Sequence, residues 1–167
     1  MDRRRSAQLR RTLLRLGKSL PRFADGRIDY TDSKVSPVVT VIVEHGGSML
    51  VMKRSGGVGS HQHKWGAIAG YIDESGSVEG KALQEMEQEA GIGHGVVERI
   101  RIGRRYSISD GASGRRLIVY PVLVSLKRKP AVRLNWENTD YRWISPSELG
   151  SLDAIPRLED SVRNAHL

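Results

Sequence analysis

Two glutamates, Glu85 and Glu89, stand four residues apart inside Val78–Ala90. That stretch is rich in helix-forming residues and is followed by Gly91, so the sequence predicts a helix ending there. At about 100° per residue, Val78, Ala82, Met86, Ala90 and Leu83 fall on one apolar arc. Glu85 and Glu89 border that arc, one turn apart. Two carboxylates at this spacing repel by a few tenths of a kcal/mol on an open helix. Half-buried, they cost more unless a cation sits between them. Paired carboxylate oxygens suit a hard divalent cation such as Mg²⁺ or Mn²⁺. Ordinary surface charge is the alternative that the wheel leaves open. Glu87 projects away from the pair and reads as solvated charge.

The residues around the pair narrow the choice. The segment Gly70–Ile92 resembles the Nudix box, G-x5-E-x7-R-E-U-x-E-E-x-G-U with U aliphatic. Gly70, Glu85, Met86, Glu89, Gly91 and Ile92 match without a gap. Three positions depart: Gly76 and Gln88 stand where the box has Glu, and Gln84 where it has Arg. The surroundings are also similar to the family. An apolar strand pair ends at Lys53-Arg54, Lys64-Trp65-Gly66 leads into the box, and Tyr141–Ile144 is followed by Ser-Pro-Ser-Glu-Leu. The resemblance covers residues 36–158.

It implies an α+β fold, a Nudix-type α/β/α sandwich with a mixed central β-sheet. It implies hydrolysis of a nucleoside diphosphate linked to another group, of the ADP-ribose or sugar-nucleotide type, with Mg²⁺ or Mn²⁺ as cofactor. Glu85 and Glu89 would be metal ligands, assisted by a backbone carbonyl of Ala69 or Gly70. Glu137, six residues before Trp143, would be a further ligand or a general base. A homodimer is implied by the family alone. The departures remove two carboxylates and the arginine that positions acids in the typical box. Gln can still offer a carbonyl oxygen, but it brings no charge. Weak metal affinity without substrate is therefore expected. A Nudix-fold nucleotide-binding or regulatory module with weakened catalysis is the competing reading. Asp73, Glu74 and Glu79 lie near the gap in the box, with their aim unspecified by sequence. Arg54, Lys64 and His63 are the candidate phosphate binders, Arg54 through its planar fork; solvated charge is the bland alternative. His61 and His63 lack a visible third partner, so zinc is not expected. Trp136 and Tyr106 are candidate stacking platforms, whereas Trp65 and Trp143 read as core.

These residues need a scaffold. Val38–Val43 is a continuous β-branched and aliphatic run, the pattern of a strand buried on both faces. His45–Ser48 reads as a hairpin turn and Met49–Lys53 as the returning strand. Residues 55–64 form a Gly- and His-rich loop. Arg99–Ile108 and Arg116–Leu126 read as strands joined by a turn at 109–114, with Pro121 demanding an edge or a bulge. Tyr141–Ile144 is a short strand. Ser145–Glu148 reads as a capping box with Pro at the first helical position, and a terminal helix is expected from Pro156 to about Asn164. Ahead of this domain, at 36–167, lies a basic helix and polar linker at 1–35.

The 167 residues carry a net charge of +8, with Lys+Arg 27 against Asp+Glu 19. Residues 1–22 hold eight of the basic residues against Asp2 alone, so they carry +7 and leave about +1 for the rest. Leu9, Leu13 and Leu16 have helical spacing within this arm. Packing by the leucines is the expected role; RNA contact, or targeting by an Arg-rich start that resembles a transit peptide, is the alternative. There are no cysteines, which excludes disulfides, thiolate zinc sites and Cys nucleophiles. A cytoplasmic location is expected, and no apolar run approaches the roughly 20 residues of a membrane span.

Overall fold

The computed structural model describes residues 3–74, 76–110 and 114–167. Residues 111–113, the tip of the turn expected at 109–114, lie outside the described residues.

The β-branched run becomes β1 (Val35–His45), the centre of a mixed sheet. Gly46 and Gly47, both at positive φ, turn the chain into β2 (Ser48–Arg54). Strands β3 (Trp65–Gly66) and β4 (Ile68–Tyr71) follow, and β4 pairs antiparallel with β1 beyond the end of β2. On the other side of β1 lies β7 (Arg115–Leu126), parallel to it from Val35↔Arg116 to Glu44↔Ser125. The expected strand at 99–108 is two strands, β5 (Val97–Ile102) and β6 (Tyr106–Asp110), both antiparallel to β7. β8 (Asn138–Ile144) pairs with β2.

Pro121 explains the division of β5 from β6. It sits in a central strand, not at an edge, opposite Thr40 of β1. Its carbonyl accepts from the Gly103 N–H at 2.8 Å. Its missing N–H therefore faces the gap between β5 and β6, where no ladder partner is needed. Gly103 is the close-packed residue of that gap. A Cβ there would lie 2.1 Å from the Asn164 carbonyl oxygen and 2.5 Å from Ala165 Cα. Both are backbone atoms, so Gly103→Ala is expected to cost about 2–3 kcal/mol by overpacking. A lowered urea midpoint relative to the parent is the expected measurement.

Helices cover both faces. On one face, α1 (Arg3–Gly17) and α2 (Val78–Ala90) share a core with Val39, Val41, Tyr120 and Val122. Leu9 and Leu13 are buried in it and Leu16 packs against it, so the arm is held by its leucines. The segment expected as a linker is also docked: the Ile28 N–H donates to Asp73 O at 2.7 Å and the Tyr30 hydroxyl to Ile72 O at 2.9 Å. On the other face, α3 (Leu158–Ala165) packs with Ile42, Val51, Trp65 and Leu123. The capping residues at 145–148 open a short 3-10 helix, Pro146–Ser151, rather than an α-helix. The chain must extend at 153–155, because Trp65 N–H donates to Asp153 O and Ile155 N–H to Trp65 O. α3 then starts at Leu158, after Arg157 turns the chain at φ 64°. This is the α/β/α sandwich with a mixed central sheet. Among the described residues no helix is long and apolar enough to cross a membrane.

Candidate active site

Helix α2 has its expected ends. The Ser77 hydroxyl accepts from the Gly80 N–H at 2.9 Å, and Gly91 terminates the helix in the left-handed region at φ 66°. With its ends fixed, the apolar arc of Val78, Ala82, Met86 and Ala90 faces the sheet and all four are buried. That orientation carries Glu85 and Glu89 inward with it. They are 8% and 4% exposed, so neither is ordinary surface charge. Glu87 is exposed, as the wheel requires.

Each carboxylate has its own cradle. Glu89 Oε1 accepts from the Ala69 backbone N–H of β4 at 3.1 Å, and Oε2 accepts from Asn138 Nδ2 of β8 at 3.0 Å. These bonds orient Glu89 without neutralising it. Burial therefore dominates and, with the nearby charges of Glu137 and Glu85 and against the two hydrogen bonds, pushes its pKa up to about 8. Glu85 lies against Gly70: a Cβ there would come 2.3 Å from the Glu85 carboxyl carbon. Glycine is needed at 70 because the carboxylate uses the space of its side chain.

An ammonium against the pair comes from Lys81, itself buried. Its Nζ is 2.9 Å from Glu85 Oε1 and 3.2 Å from Asp73 Oδ1, and Asp73 Oδ2 is 3.1 Å from Arg27 Nη1. Burial alone would lower the Lys81 pKa, but the hydrogen bond to Glu85 and the charges of Glu85 and Asp73 outweigh it and raise it. Lys81 thus supplies, one turn earlier, a cation that this box lacks at Gln84. Lys81→Met is expected to destabilise the metal-free protein by about 3 kcal/mol, because it strands a buried carboxylate. Mg²⁺ should then recover more stability in this variant than in the parent, as read by denaturant midpoints with and without the ion.

The remaining candidates divide. Glu137 is half-buried beside the pair. Its Oε1 accepts from Asn135 Nδ2 at 3.1 Å, and its backbone oxygen accepts from the Ser55 N–H at 2.7 Å. Arg54 is at the end of β2, where its Nε donates to Ser60 O at 3.0 Å. His63, at φ 62°, packs its ring beside Gly56 in the loop between β2 and β3. Lys64 is turned to Asp153, at 2.5 Å. Trp136 is 70% exposed beside Gly57 and Glu137, whereas the Tyr106 hydroxyl is engaged by Ser161 at 2.6 Å. Of the acids near the gap, Asp73 is buried and paired, Glu74 is exposed, and Glu79 has one buried oxygen without a partner. Gly76 and Gln88 are exposed. Sequence reading missed Lys81, Asn135 and Asn138; only Lys81 left a signal, its four-residue spacing to Glu85.

The donor set fits a hard divalent cation. It offers carboxylate oxygens, an acid excess, and a cradle shaped by glycine. Among the described residues, no three His, Asp or Glu side chains converge into a ready metal cluster. A cation held by Glu85 and Glu89 would need further oxygens from elsewhere, as substrate phosphates provide.

Comparison with known proteins identifies the family and the fold. The NUDIX domain model matches residues 34–165. Among solved structures, the MutT protein of Methanosarcina mazei Go1 is 17% identical at a TM-score of 0.64, covering 79% of this chain and 93% of that one. The Ap4A hydrolase of C. elegans, in a binary complex, is 17% identical at 0.61, covering 77% and 93%. The NUDIX domain of Shewanella oneidensis NrtR, complexed with ADP ribose, is 14% identical at 0.64, covering 79% and 88%. At these identities the structures bear on the fold. No curated protein matches the chain. With the family model spanning the sheet, the box helix and both helical layers, this chain belongs to the Nudix family.

Proposed function

We propose that the chain is a metal-dependent hydrolase that cleaves the pyrophosphate bond of a nucleoside diphosphate derivative, of the ADP-ribose or sugar-nucleotide type. The observation that carries this reading is the burial of Glu85 and Glu89 together, one of them against a glycine that yields its side-chain space. A pyrophosphate repels an attacking water through its own charge. A bound Mg²⁺ or Mn²⁺ supplies neutralisation of that charge. In this reading Glu85 and Glu89 would hold the cation, with the Gly70 carbonyl assisting. Asn138 and the Ala69 N–H keep Glu89 aimed. Glu137, steadied by Asn135, takes the proton of the water as its oxygen bonds to phosphorus and the bridging P–O bond breaks. Arg54 and His63 bind the phosphates from the loop side, and Lys64 joins them by leaving Asp153. Trp136 offers an exposed face to the base.

A second reading is a binding module. The Lys81 ammonium on Glu85, together with Gln84 and Gln88, favours it, since a resident cation competes with a metal. One experiment separates the two. The full chain is incubated with Mg²⁺ or Mn²⁺ and a panel of nucleoside diphosphate derivatives, beside Glu85→Gln and Glu89→Gln, with products resolved by ³¹P NMR. Two phosphomonoesters from the parent and none from either variant support the hydrolase. Nucleotide binding without turnover supports the module.

A further inference from the structure

A second charged site lies on the far side of β1 from the carboxylates. Arg11 and Arg15 of α1, Arg105 of the turn between β5 and β6, and Arg116 of β7 line one cleft of about 390 Å³, with Gln8 and Thr12. Among the described residues no carboxylate lines it. Among the described residues none of these four guanidinium groups has a hydrogen bond or an ion pair. Three other arginines of this protein are engaged by backbone carbonyls. Arg115 donates to the Tyr30 and Thr31 carbonyls, Arg101 to Ala165 O, and Arg22 to Gly26 O. Those are structural arginines that cap backbone oxygens. The four in the cleft leave their forks open.

The cleft is also built in advance. Buried Leu9 and Leu13 fix the rotation of α1, which sets Gln8, Thr12, Arg11 and Arg15 on one flank. The turn carrying Arg105 is pinned by Gly103, with no room for a Cβ, and by the Arg104 N–H donating to Asn164 O at 2.8 Å. Arg116 is fixed through its backbone N–H to Lys34 O at 2.8 Å. Three separate elements thus hold like charges together with no compensating acid among the described residues, which self-repulsion disfavours unless an anion completes the site. Guanidinium forks match phosphate oxygens bidentately. We propose that this cleft is a binding site for an oligophosphate group, separate from the hydrolytic centre and independent of divalent metal.

The test uses the full chain in EDTA, with Glu85→Gln/Glu89→Gln as background so that the carboxylate site cannot bind through metal. Tripolyphosphate, ATP and a 5′-hydroxyl single-stranded RNA are titrated by calorimetry at two salt concentrations. Tripolyphosphate is expected to bind in the micromolar range, with affinity falling as salt rises. Similar binding of ATP supports recognition of the phosphate chain carried by a nucleotide, and binding of tripolyphosphate alone supports the free anion. Arg105→Gln/Arg116→Gln should weaken binding at least tenfold. Arg105→Lys/Arg116→Lys, which keeps the charge and loses the forks, should fall between. All four side chains are exposed, so both variants should unfold at the parent's midpoint. Affinity unchanged in the Gln variant overturns the site. So does binding of the RNA with none of tripolyphosphate, which makes the patch a nucleic-acid surface instead.

Discussion

Replacing Glu89 by Gln is expected to abolish turnover and, in the same protein, to raise the stability of the metal-free state at pH 8. The two effects have one cause. Glu89 is buried with two hydrogen-bond donors and, among the described residues, no cationic partner, and its pKa is pushed up to about 8 against 4.5 for a free Glu. Between those values the folded protein holds a proton that the unfolded chain has released. Stability must then fall as pH rises from 4.5 to 8, and level off above. The sign is opposite to that of a salt-bridged acid. Gln keeps an oxygen for the Ala69 N–H, and Asn138 can present its carbonyl to the new amide, but nothing remains to ionise. The stability gain should be small at pH 5 and a few kcal/mol at pH 8, read from denaturant midpoints across that range. Saturating Mg²⁺ should stabilise the parent at pH 8 and leave Glu89→Gln nearly unmoved, since only the parent gains from a bound cation. Turnover should fall by about 10³-fold or more, the scale of losing charge stabilisation in the transition state. A variant less stable than the parent at pH 8 would show that Glu89 is an ordinary structural acid.

Gly70→Ala is expected to separate activity from stability in another way. The added Cβ would meet the Glu85 carboxyl at 2.3 Å. That group is the far end of a flexible side chain, so it can swing aside. The fold should lose only about 1 kcal/mol, while Glu85 leaves the position from which, on the proposed function, it would share a cation with Glu89. A fall in kcat/KM of about 10²-fold, the cost of a misplaced group near 1 Å out of line, is the expected result. Gly103→Ala is the mirror case. There the obstacle is the backbone of α3, so stability falls and the site is untouched. Equal losses of stability in the two variants would remove the distinction.

These residues also show what a sequence reveals. Helix α2 was legible to the residue because its determinants are local: an apolar arc and a terminal glycine, to which the structure adds the Ser77 cap. The burial of Glu85 and Glu89 was one of two readings left open by the arc they border, the other being ordinary surface charge. Asn138 was not legible, since it meets Glu89 across 49 positions of chain through pairing of β8 with β2. Lys81 reads as an ordinary solvated lysine until Asp73, eight residues before it, is folded back beside it. The division of β5 from β6 was written in Pro121, but on the neighbouring strand: the missing N–H foretold an interruption without saying where. The segment at 22–36 read as a linker because its anchors, Ile28 and Tyr30, are isolated among polar residues.

Manganese binding, followed by electron paramagnetic resonance of the free ion, tests the central claim most directly. The claim is that Glu85 and Glu89 hold a divalent cation whose remaining oxygens come from the substrate. The full metal-free chain is titrated with Mn²⁺ alone and with a non-hydrolysable nucleoside diphosphate analogue, beside Glu85→Gln/Glu89→Gln. Weak binding alone, binding at least tenfold tighter with the analogue, and loss of both in the double variant is the result expected. A low-micromolar Mn²⁺ site without nucleotide, or binding that survives the double substitution, would contradict it.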